Sequence, residues 1–212
     1  MTRILQKPTG LVLAGGRGSR MGGVDKGLQR FDGVPLALHA LRRLQAQLAS
    51  VAINANRNLA DYAAFHVPVW ADAANDYSGP LAGFLSGLSH CPTPWLLTVP
   101  CDTPRFPSDL AVRMAEALAA SPEAEIAIAA APVPDRHGTV ALRPQPVFCL
   151  LSTSSLQSLS DFVVQGGRKI DQWTARHRSV LVAFDRPGDD PDAFANANTL
   201  AELKALETPT LP

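Results

Sequence analysis

The sequence predicts an α/β fold in which a mostly parallel β-sheet is flanked by helices on both faces, and three observations carry that expectation. Short apolar runs with β-branched residues alternate with segments whose apolar residues recur at helical spacing. The early runs end abruptly in polar or glycine-rich clusters, as strands do where they leave a buried sheet. The chain has 212 residues, 46% of them hydrophobic, and 19 Lys+Arg balance 19 Asp+Glu. That is enough for one sizeable core and too apolar for disorder, so residues 1–212 are read as a single domain.

The elements follow in order. Residues 10–14 (GLVLA) form a first strand that stops at Gly15-Gly16-Arg17-Gly18-Ser19-Arg20-Met21-Gly22-Gly23. After Gly33-Val34-Pro35, the residues Ala37, Leu41, Leu44 and Leu48 fall at helical spacing among Arg42, Arg43, Gln45 and Gln47, and a proline suits the helix start. Residues 50–54 (SVAIN) read as a second strand ending in Asn54-Ala55-Asn56-Arg57, and residues 67–70 as a third ending at Ala71-Asp72. A helix rich in small residues spans 79–90. The strand 95–99 (WLLTV) runs into Pro100-Cys101-Asp102-Thr103-Pro104. A helix over 107–120 and a strand over 125–131 (EIAIAAA) continue the alternation. Beyond Pro132 the rhythm changes to two short strands near 139–142 and 146–151, helices around 154–164 and 169–177, and a last strand over 179–184. Phe194-Ala195-Asn196-Ala197-Asn198-Thr199 then leads to a closing helix. In such a sheet, polar residues at the strand carboxyl ends converge on one edge, where α/β folds bind ligands.

Composition narrows the function classes. The formal charge is zero and no dense Lys/Arg run occurs, so no nucleic-acid partner is expected. The three cysteines, Cys91, Cys101 and Cys149, have no CxxC spacing, which fits a reducing cytoplasm better than a disulfide framework or a zinc site. There is no signal-like apolar segment at the start and no run of about 18 apolar residues, so the expectation is a soluble protein without a membrane partner.

Two features can carry chemistry. The loop after the first strand holds five glycines, whose backbone can approach a ligand closely and leave N–H groups for phosphate oxygens. It is neither a Walker A loop, lacking Gly-Lys-Ser/Thr, nor a GxGxxG fingerprint, because Met21 stands at the third glycine position and no acidic residue ends the second strand. What remains is a loop bearing Arg17, Arg20 and Lys26 around a triphosphate, against the plainer alternative of a surface turn with solvated bases. Asp102 is the second feature. At the end of an apolar strand its carboxylate should face the glycine loop, where it can bridge Mg²⁺ to phosphate oxygens, or else simply form a turn or cap a helix.

Taken together, Leu13-Ala14-Gly15-Gly16, Arg20-Met21-Gly22-Gly23-Val24-Asp25-Lys26-Gly27-Leu28, Asn54-Ala55-Asn56-Arg57, Gly79-Pro80-Leu81-Ala82-Gly83, Pro100-Cys101-Asp102-Thr103-Pro104, Gly166-Gly167-Arg168-Lys169 and the Asn196-Ala197-Asn198-Thr199 segment resemble the molybdenum cofactor guanylyltransferase family, in order and over nearly the whole chain. The resemblance implies a single-domain Rossmann-like fold of nucleotidyltransferase type, with GTP as substrate and Mg²⁺ as cofactor. It implies transfer of GMP to the phosphate of molybdopterin or Mo-molybdopterin, with release of pyrophosphate. By the same resemblance, Leu13, Ala14 and Gly15 approach the nucleotide with Gly16 beside them, Lys26 contacts its phosphates, Asn54 and Asp72 help hold the guanosine, and Asp102 binds Mg²⁺; Lys26, Asp102 and the loop's Arg20 are the candidate catalytic residues. Residues from about 1 to 110 would then be the nucleotide half. Residues from about 111 to 212 would be the acceptor half, with Asn196, Asn198, Arg168 and Gly83 assigned to the pterin side.

Plainer roles exist for several of these. Asn198 and Thr199 can cap the closing helix, residues 79–83 can be close packing of a helix start, and Arg168 and Lys169 can be a solvated helix face. Molybdenum-insertion and molybdoenzyme-chaperone proteins are the implied macromolecular partners. The Leu13-Ala14-Gly15-Gly16 pattern favours guanine over the rival readings of a molybdopterin cytidylyltransferase or a sugar-phosphate nucleotidyltransferase. Retention of Lys26 and Asp102 disfavours a non-catalytic nucleotide- or pterin-binding module.

Overall fold

The computed structural model describes residues 6–15, 24–72, 79–134, 138–197 and 202. Nine strands and six α-helices follow one another among these residues. Strand β1 (Thr9–Leu13) leads past a 3-10 turn (Lys26–Leu28) to a small hairpin of β2 (Arg30–Phe31) and β3 (Val34–Pro35), and then to α1 (Leu36–Gln45). Next come β4 (Ser50–Asn54), α2 (Leu59–Ala63), β5 (Val69–Trp70), α3 (Pro80–His90), β6 (Trp95–Pro100) and α4 (Leu110–Ala120). The chain continues through β7 (Ile126–Pro134), β8 (Val140–Ser152), α5 (Leu156–Val164), α6 (Ile170–Thr174) and β9 (Ser179–Ala183). The expected alternation is therefore present, and the β2–β3 hairpin is an addition. Asp32 and Gly33 both take positive φ in its two-residue turn, the Asp-Gly chemistry that such a turn requires.

The main sheet has the order β5-β4-β1-β6-β8-β7-β9. The pairs β5–β4, β4–β1, β1–β6 and β7–β9 are parallel, whereas β8 is antiparallel to both β6 and β7. Apolar residues line both faces because successive side chains in a strand point to opposite sides. Val12, Leu97, Val99, Ala127 and Ala129 meet Leu41, Leu44, Leu110, Met114 and Leu118 of α1 and α4 in one layer. Leu11, Leu96, Ile126 and Ile128 meet Phe84, Leu88, Leu159, Phe162 and Trp173 of α3, α5 and α6 in the other.

The two short strands expected at 139–142 and 146–151 are a single strand, β8. Its ladder with β7 slips between Ile128↔Cys149 and Ala130↔Pro144. Pro144 and Pro146 have no N–H to give, so the pairing bulges there instead of ending. The buried Thr98 hydroxyl compensates by donating to Val147 O at 2.7 Å.

After β9 the chain folds back toward the carboxyl end of β6. Phe194 packs on Phe184 and Phe148 at ring-centroid separations of 5.3 and 4.9 Å, and Phe148 on Phe106 at 5.9 Å. Arg113 on α4, with a side chain 3% exposed, pins the same segment. It pairs with Asp189 at 2.9 Å, donates to Ala183 O and lies 3.9 Å from the centre of the Phe184 ring. Among the described residues no helix is long and apolar enough to cross a membrane.

Removing the charge opposite Arg113 should leave a buried guanidinium facing a neutral amide oxygen, with Asp109 at 3.5 Å, a carbonyl and the Phe184 ring as its other partners. Asp189→Asn is therefore expected to lower the unfolding free energy by about 2 kcal/mol in urea titrations. A midpoint equal to wild type with an unchanged slope would show that the pair contributes nothing.

Candidate active site

The order β4-β1-β6 creates a topological switch point, since the chain leaves β1 toward β4 on one side and returns to β6 on the other. Register levels the three carboxyl ends: Leu13 stands opposite Asn54 and opposite Pro100. The ladder runs one step further, with Ala14 N–H donating to Asn54 O at 2.8 Å and Cys101 N–H to Leu13 O at 3.1 Å. The backbone of residues 13–15 is thus held between the Asn54 and Asp102 corners. Gly16 and Arg20 lie outside the described residues, as does Asn198.

Asn54 is 1% exposed. Its side-chain amide donates to Trp70 O at 2.9 Å and to Asp72 Oδ1 at 2.8 Å, which commits both N–H groups. There is room for this side chain only because glycines flank it. A Cβ on Gly83 would lie 2.6 Å from Asn54 Oδ1 and from Leu13 Cδ2, and one on Gly15 would lie 2.8 Å from Asn54 Oδ1. Gly83, expected on the pterin side, therefore packs against residues expected at the nucleotide.

Asp72 is gripped from both sides. Besides Asn54, Asn56 donates to its second oxygen at 2.7 Å and accepts from its backbone N–H at 2.8 Å. Two of the roughly four lone-pair sites of the carboxylate are so occupied, and the others can accept N–H groups from a ligand. Asn56 was not among the expected site residues. Its signal is the Asn-x-Asn spacing at the end of β4, which puts two amides on the same side of an extended chain.

Lys26 and Asp102 are brought into direct contact, Nζ to Oδ2 at 2.6 Å, with side chains 23% and 20% exposed. A lysine from the turn after the glycine loop and an aspartate 76 residues later thus form one charged unit at the switch point. The turn itself is capped by Asp25, whose carboxylate accepts from Gly27 N–H at 3.1 Å. Asp25 stands in the quoted motif without an expected role, and its signal is an Asp at the start of a tight turn.

Beside Asp102, Cys101 is buried, and burial followed by the neighbouring negative charge pushes its thiol pKa up, so it stays a protonated packing group. Thr103, fully buried, donates to Asn196 Oδ1 at 2.6 Å, and Ala197 N–H donates to Asp102 O at 2.8 Å. Asn196 therefore reaches the Asp102 corner. Arg168 shows no such link: it donates to Val163 O at 3.0 Å and Gly167 O at 2.7 Å. The adjacent glycines close α5, Gly167 N–H bonding to Phe162 O and Gly166 N–H to Val163 O, with Gly166 at φ +91. Helix termination accounts for that glycine pair.

Among the described residues, no three His, Cys, Asp or Glu side chains converge as a metal site. A single carboxylate at a strand's carboxyl end fits the chemistry of Mg²⁺, an ion that keeps several waters and needs few protein ligands. The Asp102 carboxylate already takes the Lys26 ammonium on Oδ2 at 2.6 Å.

Residues 10–180 match the family model described as MobA-like NTP transferase domain. The molybdenum cofactor guanylyltransferase of Acidovorax ebreus is 68% identical over 200 residues, which are 94% of this chain and 94% of that protein. The protein of the same name from Albidiferax ferrireducens is 62% identical over 204 residues, 95% of this chain and 96% of that one. In three dimensions the chain resembles the crystal structure of molybdopterin-guanine dinucleotide biosynthesis protein A from Archaeoglobus fulgidus, with a TM-score of 0.72 over 94% of this chain and 96% of that one. At 18% identity that likeness speaks for the fold alone. The architecture is accordingly that of a Rossmann-like nucleotidyltransferase. Since the family match takes in the loop after β1, the Lys26 turn and the Asp102 strand end together, and the relatives align over nearly their full length, the chain belongs to the MobA-like NTP transferase family and, within it, groups with the molybdenum cofactor guanylyltransferases.

Proposed function

We propose that this protein transfers GMP from GTP to the terminal phosphate of molybdopterin or its molybdenum-loaded form, giving the guanine dinucleotide and pyrophosphate. The observation that carries the reading is the Lys26–Asp102 pair, set at the switch point directly beside the loop backbone of residues 13–15. In this reading a phosphate oxygen of the acceptor attacks the α-phosphorus of GTP, and the bond from that phosphorus to the bridging oxygen of the β-phosphate breaks. The acceptor phosphate is already anionic near neutral pH and calls for no general base.

Each residue has a physical task in that step. The backbone of Leu13, Ala14 and Gly15 lies where a triphosphate would run, and we assign Gly16 and Arg20 to the same phosphates. An ammonium has three N–H donors, so Lys26 can give one to a phosphate oxygen while keeping another on Asp102. Asp102 would hold Mg²⁺, which when bound offsets charge on the phosphates and the leaving pyrophosphate. Asp72, fixed by Asn54 and Asn56, offers its remaining lone pairs to the two adjacent N–H groups of guanine's edge. Positioning and electrostatic stabilisation then supply most of the rate.

On the acceptor side, Asn196 is exposed beside the Asp102 corner and is suited to pair with the pterin or orient its phosphate. We assign residues from about 111 onward chiefly to that half, with Asn198 as a further contact and Arg168 as an outer one. The setting is the cytoplasm, with molybdenum-insertion and molybdoenzyme-chaperone proteins as the partners on either side of the reaction.

Asp102→Asn keeps size and turn-forming ability while removing the charge. It is expected to fold with a Tm close to wild type and to lose turnover by about 100-fold or more, read as Mg²⁺-dependent pyrophosphate release. Near wild-type turnover with unchanged Mg²⁺ dependence would exclude the metal role.

Guanine selection should follow the Asp72 clamp. Wild type is expected to prefer GTP over CTP and ATP, and Asp72→Asn to erode that preference by about 10- to 100-fold in kcat/KM, because an amide cannot accept two N–H groups at one edge. Equal kcat/KM for GTP and CTP in the wild type would instead favour the cytidylyltransferase reading.

Asn196→Ala, alone or with Asn198→Ala, is expected to raise KM for molybdopterin while leaving the Kd for GTP within about twofold of wild type. Loss of GTP binding with pterin binding retained would move the acceptor site elsewhere.

A further inference from the structure

The 3-10 turn that carries Lys26 is held by a polar network with no obvious part in binding substrate. Asp25 is only 9% exposed, and among the described residues its carboxylate takes hydrogen bonds from three directions. Oδ1 accepts from the Tyr62 hydroxyl at 2.7 Å and from Gly27 N–H at 3.1 Å, and Oδ2 accepts from the Asn58 side-chain amide at 2.9 Å. Two of the donors come from outside the turn. Asn58 caps α2 with left-handed backbone at φ +50, and Tyr62, fully buried, sits inside that five-residue helix.

A buried carboxylate is expensive unless its lone pairs are satisfied, and a simple turn cap is served as well by a neutral Ser or Asn. An Asp that draws donors from a helix more than thirty residues away does something further: it fixes the backbone of residues 25–27 relative to α2. Gly27 completes the lock, because a Cβ there would collide with the Tyr62 hydroxyl and would lie 3.3 Å from the Cβ atoms of Ala14 and Ala37. Burial, and then the hydrogen bond to Asp25, drive the Tyr62 pKa up, so the phenol is a permanent donor. Between the two locked residues stands Lys26, whose long side chain reaches Asp102 Oδ2 at 2.6 Å. A flexible four-carbon stem can hold one end point only if its own Cα is well placed.

We propose that Asp25, held by Tyr62 and Asn58, is a positioning residue that sets the Lys26 ammonium against Asp102, so that α2 belongs to the phosphate-binding machinery although it contributes no group that touches substrate. The proposal rests on the reading of Lys26 as the nucleotide's phosphate contact. Shifting the turn by a fraction of the stem length would leave the fold intact and misplace the ammonium, and small misplacements of charged groups are costly in transfer reactions.

The test uses the full chain and two mild variants. Tyr62→Phe removes one hydroxyl from a packed ring, and Asn58→Gly removes the amide while tolerating the left-handed backbone. Each is expected to lower kcat/KM for GTP by about tenfold with circular dichroism unchanged. In a double-mutant cycle, adding either to Lys26→Ala is expected to change the remaining kcat/KM for GTP by less than about twofold, since the positioned group is already gone. Wild-type kcat/KM in folded variants, or a tenfold loss that persists without Lys26, overturns the proposal.

Should Tyr62→Phe fail to fold, Asn58→Gly carries the cycle. If wild type neither binds nor turns over GTP, the guanylyl-transfer reading fails, and the positioning role is still decided in unliganded protein from the carbon-13 shift of the Asp102 carboxylate. That shift should move in the same direction in Tyr62→Phe, Asn58→Gly and Lys26→Ala, and an unmoved signal in the first two overturns the proposal.

Discussion

Strand β1 is buried between two parallel neighbours, and its hydrogen-bond register with them governs everything at the site. Pairing of Leu13 with both Asn54 and Pro100 ends three strands at one level, so that the chain must turn at the same height three times. Parallel strands do not close by hairpins, and the crossovers place α1 on one face and α3 on the other. The result is a sheet edge where the backbone of Ala14 and Cys101 still continues the ladder. A slip of one residue in β1 would send Leu11 and Val12 to the wrong layers and separate the Asn54 corner from the Asp102 corner.

Among the described residues, the charges that meet at that edge are each held by a partner. Lys26 lies against Asp102, and Asp72 is gripped by two asparagines. Asp25 is satisfied by three neutral donors. An arrangement of this kind suits a protein with no net charge whose substrates are polyanions. Groups fixed in this way need little rearrangement to stabilise charge. The buried asparagine between Gly15 and Gly83 illustrates the cost: its amide is accommodated only because two neighbours have no side chain.

The second half of the chain reaches the same edge by a different route. Antiparallel β8 inserts between β6 and β7, which carries the β7–β9 pair outward and makes the chain after β9 cross back over α4. The Phe106, Phe148, Phe194 and Phe184 rings and the Arg113–Asp189 pair hold that return, and its end bonds to Asp102 O through Ala197. The segment after β9 therefore shares a corner with the end of β6.

Much of this was legible in the residues alone. Apolar runs of five or six residues bounded by glycine or polar clusters specify buried strands, because only residues that can bury both faces tolerate such a position. The glycine loop and Asp102 stand out because strand ends in α/β sheets face one edge, whereas Asn54 and Asp72 take their expected roles from the family resemblance. What periodicity does not encode is which strands become neighbours and how side chains far apart in sequence meet. Nothing local announces that β8 runs antiparallel between β6 and β7, that Lys26 will touch Asp102, that Asn56 will close on Asp72, or that Tyr62 will reach Asp25. Local pattern reports the burial of each segment. The pairings come from the packing of the whole sheet, where a polar group takes the partner that the assembled fold leaves within 3 Å of it.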